Sequence, residues 1–386
     1  MSNNTIRVFE AFAGYGSQSI ALKRLNADRP SFQYEVVGIS EIDKNAISAY
    51  HAIHGESTPN FGDIMHIDWS QVPCFDLLTY SFPCQDISSA GRQRGFSQGS
   101  GTRSSLLWAC TNAIEAKHPK YLLMENVKAL TQKKFAKDFY KWREWLSDKG
   151  YTSYYQILNA KEYGVPQNRE RVFMVSILGE HRPFFFPKAF PLKRHLKDIV
   201  EDNVDESYYL KPQRVESIAN TIATVQKDSM VLGPLFLGYT RDHNGKIVSR
   251  HLKHISNTIV ASNHGHNGTT AQYPVEPMIY SKPRGYSIVG LKILAPTVTS
   301  SAYTDNNFLI KDFRIRKLTP RECFRLMDVS DSDIDKIQSS GISKTQQFKL
   351  AGNSIVVSCL YHVFRKMFVD LSNEQPGYVQ LSLSKT

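Results

Sequence analysis

The feature that most constrains the fold is a rhythm in the first half of the chain: short apolar, β-branched runs alternate with segments of helical spacing. Ile6–Phe12 is an apolar run that ends at Gly14 and Gly16, and Ser17–Leu25 follows with Ile20, Ala21 and Leu25 at helical spacing. Tyr34–Ile39 predicts a second strand ending at Glu41 and Asp43, and Lys44–His54 a helix. Phe75–Phe82 and Tyr121–Met124 predict two further strands, with a helix over Arg103–Lys117 between them. A stripe of Phe135, Phe139, Trp142 and Leu146 predicts another helix, which Gly150 caps, before strands at Tyr154–Leu158 and Arg171–Ile177. Such alternation predicts an open α/β sheet with helices on both faces. Ligands of these sheets bind at the carboxyl ends of the strands. The unusual residues fall there: Gly14, Glu41, the Pro83–Cys84 pair and Glu125.

The rhythm breaks at Pro183–Pro191, an irregular connection, and is lost from about 195 to 315, where short β-rich runs and scattered basic residues predict a second, smaller domain. Helical character returns at Thr319–Met327, which opens on Thr-Pro, and in a final helix over Ile355–Leu371 with Val356, Leu360, Val363, Phe364 and Met367 along one side. A chain of 386 residues, 41% hydrophobic, has room for two such units. It contains no apolar run of the roughly 20 residues a membrane span needs, and its polar first residues lack the pattern of a secretory signal, so the sequence reads as a soluble, cytoplasmic protein.

Lys and Arg outnumber Asp and Glu by 47 to 36, a net +11 that favours a polyanionic partner. The five cysteines (Cys74, Cys84, Cys110, Cys323, Cys359) are odd in number and far apart, which points to neither a disulfide framework nor a zinc site. Cys84 stands out because it follows Pro83 at a strand end and precedes a stretch rich in glycine, serine and arginine, the composition of a mobile basic loop. A buried structural thiol is the plainer reading of a free cysteine.

Other candidates are also two-sided. Phe12-Ala-Gly-Tyr-Gly16 is either a tight turn or a place where backbone approaches a ligand at a helix start. Glu41 fits the acidic residue that holds ribose hydroxyls in nucleotide-binding sheets, or a solvated acid at a helix start. Asp63 could bind an adenine amino group or make a turn. Glu125 follows an apolar run and is no core filler, and it falls on the same rim as Cys84. Arg169 and Arg171, two apart, point to one face of a strand, with a surface ion pair to Glu170 as the alternative. His264 and His266 sit in a polar loop rather than a metal site.

In order, the chain reads FAGYG, EID, GDI, SFPCQDIS, GTRSSLLW, ENV, QNRERVF, RKLTPRECFRLM and AGNSIVV. This ordered set closely resembles the bacterial and phage cytosine-5 DNA methyltransferase family, over about residues 6–178 and 316–357. The resemblance implies a Rossmann-like S-adenosylmethionine-dependent methyltransferase sheet, formed by residues 1–190 and 316–386, and a β-rich target-recognition domain over 191–315. It implies that Cys84 is the nucleophile, that Glu125 binds the cytosine edge, that Arg171 contacts its O2, and that Arg169 supports the site and the backbone phosphate. Phe12, Gly14, Gly16, Glu41, Ile42, Asp63, Ile64, Leu106, Asn353 and Ser354 match cofactor-binding positions. The last motif must therefore fold back beside the first strand.

By the same resemblance Ser88, Arg92, Arg94 and Arg103, in the loop after Cys84, and Thr297 meet DNA. In the variable segment Arg241, Lys246, Arg250, Lys253, Lys282, Arg284 and Lys292 are candidates for phosphate and base contacts. The implied cofactor is S-adenosyl-L-methionine, with S-adenosyl-L-homocysteine as product and no metal. The implied partner is double-stranded DNA, bound by a monomer, with a cognate restriction endonuclease as a further partner and no membrane. Three departures from the pattern read as small or solvent-tolerant: Ser17 after Gly16, Ser81 before Phe82, and Asp86 after Gln85. One branch of the family modifies transfer RNA and tends to carry a Cys-Phe-Thr element, which this chain lacks; Cys323-Phe-Arg belongs to another motif.

Overall fold

The computed structural model describes residues 5–87, 94–209 and 316–370 in full, and between 210 and 315 only the backbone of short strands. Its centre is a six-stranded sheet. Strands β1 (Ile6–Ala11), β2 (Tyr34–Ser40), β3 (Leu77–Tyr80), β4 (Tyr121–Val127), β5 (Tyr151–Asn159) and β7 (Glu170–Leu178) lie in the order β2-β1-β3-β4-β7-β5. The first four are parallel, and β7 runs antiparallel between β4 and β5. The chain leaves β1 toward β2 on one side and resumes with β3 on the other. That reversal opens a crevice at the carboxyl ends of β1 and β3, where open α/β sheets hold ligands.

Both faces of the sheet are covered because neighbouring strand residues point opposite ways and both sets are apolar. Val8, Leu77, Leu123, Phe173 and Val175 face one core with Leu22 and Leu25 of α1 (Ser17–Asp28) and Ala49 and Ile53 of α2 (Lys44–His54). Phe9, Leu78, Leu122, Met124 and Met174 face the other, with Ile114 of α3 (Cys110–Lys117) and Trp142 and Leu146 of α4 (Ala136–Asp148). The helix expected over Arg103–Lys117 is a 3-10 segment, Arg103–Ala109, running into α3.

After two-residue strand β6 (Gln167–Asn168) and β7, the described strands are antiparallel ladders apart from one short parallel pair. β8 (Val231–Leu232), β9 (Leu235–Arg241) and β10 (Ile247–Lys253) form one sheet. β11 (Met278–Ser281), β12 (Leu291–Lys292), β14 (Asn307–Lys311) and β15 (Arg314–Lys317) form another. β13 (Ala295–Pro296) pairs parallel with β6, which joins this segment to the arginine-bearing stretch of the core. The expected α/β sheet with helices on both faces is present, and so is β-rich structure between its two halves.

The chain then returns through four helices: α5 (Pro320–Arg325), α6 (Asp331–Ser339), α7 (Lys344–Asn353) and α8 (Val357–Phe368). Thr319 and Glu322 form a reciprocal capping box, with Pro320 in the first turn of α5. Val357, Leu360, Val363, Phe364 and Met367 of α8 are buried in the core that contains α1. Burying five such side chains is worth on the order of 10 kcal/mol before entropy costs. The last helix is thus an integral wall of the sheet. No helix among the described residues is long and apolar enough to cross a membrane.

Candidate active site

One cavity of about 350 Å³ opens at the carboxyl ends of β1, β2, β3 and β4. At one end it is lined by Phe12, Gly14, Glu41, Ile42, Asp63, Ile64, Leu106, Asn353 and Ser354, and at the other by Cys84, Arg103, Glu125, Arg169 and Arg171. Residues separated by most of the chain thus meet in one chamber.

The first end begins where β1 stops. Phe12, Gly14 and Gly16 all adopt positive φ (56°, 60° and 81°), so the chain turns sharply and exposes backbone. Glu41 pins this turn from β2: its Oε2 accepts from Gly14 N at 2.9 Å, and its Oε1 accepts from Ile42 N and Asp43 N, both at 2.8 Å. Beside it Ile42 is 67% exposed, an apolar side chain held open at the rim. Asp63 accepts from Met65 N at 3.0 Å, so it makes the turn and also faces the cavity. Gly16 stands beside this lining, and a Cβ there would stand 2.4 Å from His54 Nε2 and 2.7 Å from Tyr50, so the close approach of α1 to α2 requires a glycine.

The C-terminal motif closes this end as expected. The Tyr15 hydroxyl donates to Ser354 Oγ at 2.8 Å, and Lys349 pairs with Asp43 at 2.7 Å across the rim. An acid pair, an exposed aliphatic side chain and a backbone turn suit a nucleoside: hydroxyls and an amino group for the acids, a ring face for Ile42.

At the second end Cys84 is half-buried, while Cys110, Cys323 and Cys359 are buried and Cys74 is exposed. Two hydrogen bonds fix the two peptides that lead into it: Asn126 Nδ2 donates to Phe82 O at 2.9 Å, and Ser104 Oγ donates to Pro83 O at 2.6 Å. Glu125, 7% exposed, lies 3.3 Å from Arg171 Nε. Burial raises the Glu125 carboxyl above its ordinary value, against the pull of Arg171, Arg169 and Ser81. Burial likewise pushes the Cys84 thiol up; Arg171 and Arg169 draw it down and Glu125 opposes them. Both groups therefore hold a proton more readily than in water, in a site whose cations favour the anion of either.

Arg169 is 3% exposed and donates to Gly352 O at 3.1 Å and Ser354 O at 2.6 Å. Burial, and Arg171 next to it, lower its guanidinium to about 9. It braces the C-terminal motif from inside and also lines the cavity. Glu170 pairs with Lys128 at 3.0 Å rather than with either arginine.

Asp86 is also corrected. It is 2% exposed and anything but solvent-tolerant: Arg94 Nε donates to it at 2.8 Å and Arg103 N at 2.9 Å. It clips the segment after Cys84 back onto the 3-10 turn, and Arg94 is engaged there. Arg103 reaches Gln85 Oε1 at 3.0 Å and lines the cavity. Ser88, Arg92, Thr297, His264, His266 and the side chains of the basic residues proposed between 241 and 292 lie outside the described residues. Asn126, Ser104, Tyr15 and Lys349 were not singled out by sequence reasoning. Their roles are hydrogen bonds or ion pairs to distant segments, which leave no local pattern, although Asn126 stands inside the ENV motif.

A half-buried thiol beside a buried carboxyl and two guanidinium groups, sharing one chamber with a nucleoside-shaped turn, defines a two-ligand α/β enzyme architecture. The chain belongs to the C-5 cytosine-specific DNA methylase family, which it matches over residues 6–369. It is similar to the type II methyltransferase M2.ScrFI of Lactococcus lactis subsp. cremoris, 35% identical over 94% of this chain and 99% of that protein. It is also similar to the orphan methyltransferase M.SPBetaI of Bacillus phage SPbeta, 29% identical over 96% of this chain and 99% of the relative. Among solved structures it resembles the S. pombe Dnmt2 methyltransferase with a TM-score of 0.61, covering 96% of this chain and all of that one; at 18% identity the likeness is one of fold.

Proposed function

We propose that this protein methylates C5 of cytosine in double-stranded DNA, taking the methyl group from S-adenosylmethionine and using Cys84 as a covalent catalyst. The observation that carries the reading is that Cys84 and Glu125 open into the same cavity as Gly14, Glu41 and Ile42, so a base and a nucleoside cofactor can meet. When bound, the cofactor supplies an electrophilic methyl group. Glu41 and Asp63 would hold its hydroxyl and amino groups, and Ile42 and Phe12 the face of its ring.

Cytosine C5 is too electron-poor to attack a methyl group unaided. Cys84 first gives its proton to solvent water, the anion being favoured by Arg171 and Arg169, and addition of the thiolate to C6 turns C5 into the nucleophilic carbon of an enamine, which divides one hard step into two easier ones. Glu125, whose carboxyl keeps its proton more firmly than usual, donates a hydrogen bond or the proton to N3, and Arg171 steadies the same edge of the ring at O2. Once C5 carries the methyl group, its proton leaves to water or hydroxide, the C6–sulfur bond breaks, and Cys84 is restored. A paired base cannot present its ring face to a thiol, so the cytosine must swing out of the duplex. Residues 1–190 and 316–386 would form the catalytic unit, and 191–315 the target-recognition domain, with β13 on β6 tying the two together. The protein would act as a monomer on DNA in the cytoplasm, with a cognate restriction endonuclease as a further partner.

The test is methyl transfer from labelled cofactor to duplex DNA beside transfer RNA, followed by digestion to nucleosides. 5-Methylcytosine in the DNA digest alone is the expected result. Label confined to RNA, or to the exocyclic amine of cytosine, would refute the reading.

A further inference from the structure

The outer face of α4 carries a charge pattern that the helix itself opposes. Phe135, Phe139, Trp142 and Leu146 are buried. The turn leading into the helix carries exposed Lys133 and Lys134, and the exposed side of α4 carries Lys137, Tyr140 and Lys141 in its first half and Glu144 and Asp148 toward its C-terminal end. A helix dipole favours acids at its start and bases at its end. Lys137 in the first turn of α4, and Lys133 and Lys134 just before it, thus stand where the dipole disfavours a positive charge.

Their position suggests what they are for. This end of α4 follows the turn after β4, so it stands at the same end of the sheet as Glu125. Phe135 packs on Phe96 at 6.4 Å between ring centres, and Phe96 on Phe82 at 6.0 Å, two residues from Cys84. Lys134 lies over the Phe135 ring, 5.4 Å from its centre, which holds the ammonium group close to this aromatic chain. Ser97 Oγ donates to Asp138 at 2.8 Å, tying the segment after Cys84 to the first turn of α4 and engaging its one acid. The start of α4 is thus packed and hydrogen-bonded to the segment that follows Cys84. Lys149, at the far end of the helix, is paired with Glu115 and stands outside this row.

We infer that Lys133, Lys134, Lys137 and Lys141 form a second contact surface for duplex DNA, gripping backbone phosphates beside the site. This rests on the proposed reading of the substrate. Lys137 and Lys141 stand about 6 Å apart along the helix axis, with Lys133 and Lys134 just ahead of it, against a duplex that carries one charge per about 1.7 Å of its axis. Such contacts carry no sequence information; they hold the enzyme on DNA between and during encounters with its site.

The full-length protein with K133Q, K134Q, K137Q and K141Q together is compared with the same four positions changed to arginine, and with K149Q. Each is titrated with a duplex several turns long over a range of salt. The slope of log Kd against log salt is expected to fall by about 0.9 for each phosphate that the glutamine variant no longer neutralises, and to stay at the wild-type value in the arginine variant and in K149Q. The rate at saturating DNA should not change, because no substituted residue lines the cavity. A wild-type slope in the glutamine variant, or the same fall in K149Q, overturns the inference. A wild-type protein that methylates no cytosine in DNA would strike instead at the reading on which it rests.

Discussion

Glu10 illustrates what single residues contribute beyond chemistry. It sits in β1 with no exposure, donated to by Ser19 Oγ at 2.9 Å, with the Tyr50 hydroxyl 3.2 Å beyond. Burial raises its carboxyl to about 8. The folded protein therefore keeps a proton that the unfolded chain releases near the ordinary carboxylate value. This contribution is fully present below that value and is lost as pH rises toward 8. Glu10→Gln removes the titration and keeps the shape. Thermal melts from pH 4.5 to 8 should show the wild type losing stability relative to the variant, by on the order of a few kcal/mol across the window; parallel curves would show that Glu10 is not the group concerned. The residues with chemistry were legible because a thiol and a carboxyl at strand ends break the apolar pattern: Cys84 and Glu125 both line the cavity. Asp86 was not, because its burial depends on Arg94 and on backbone groups of the 3-10 turn, partners no local pattern announces.

Among the elements, those with a strong period were readable: Lys44–His54 is a helix over that span, and the Phe135–Leu146 stripe lies in α4. α6 and α7 were not foreseen. α6 buries little apolar surface beyond Ile334 and Ile337, and α7 buries Gln347 beside Phe348 and Leu350, so neither shows a clean stripe. The antiparallel run of β7 was equally invisible, since strand direction is set by connection geometry rather than by composition. The start of α5 shows both sides. Thr319-Pro-Arg-Glu322 announces its capping box, but nothing announces that Arg316, 1% exposed, would grip Glu322 with two bonds of 2.8 and 2.6 Å. Glu201 N and Thr319 N also donate to this carboxylate, so one buried anion joins three segments. Arg316→Met should leave it without its counter-charge and cost about 3–5 kcal/mol, read as a lower urea midpoint. Adding Glu322→Gln should recover part of the loss. An unchanged midpoint in the single variant would mean that the pair does not organise this junction.

At the scale of the whole molecule, the two ends of the chain build one chamber. α8 packs beside α1 in a shared core, Tyr15 meets Ser354, and Arg169 braces the carbonyls of Gly352 and Ser354, so the end of the cavity at Gly14 and the end at Cys84 lean on the same short segment. The intervening strands leave and rejoin this core at β6 and at α5. Such an arrangement serves a reaction in which two ligands must be brought together and then released. The chemical centre of the proposed reaction is a covalent bond between Cys84 and cytosine C6, and 5-fluorocytosine in duplex DNA tests that directly. Fluorine at C5 cannot leave as the proton does, so the adduct should be trapped. A complex of protein and DNA that survives denaturation, forms only with S-adenosylmethionine, maps by mass spectrometry to Cys84 and is absent in Cys84→Ala is the expected result. No trapped complex with the wild-type protein, or one that persists without the Cys84 sulfur, would contradict it.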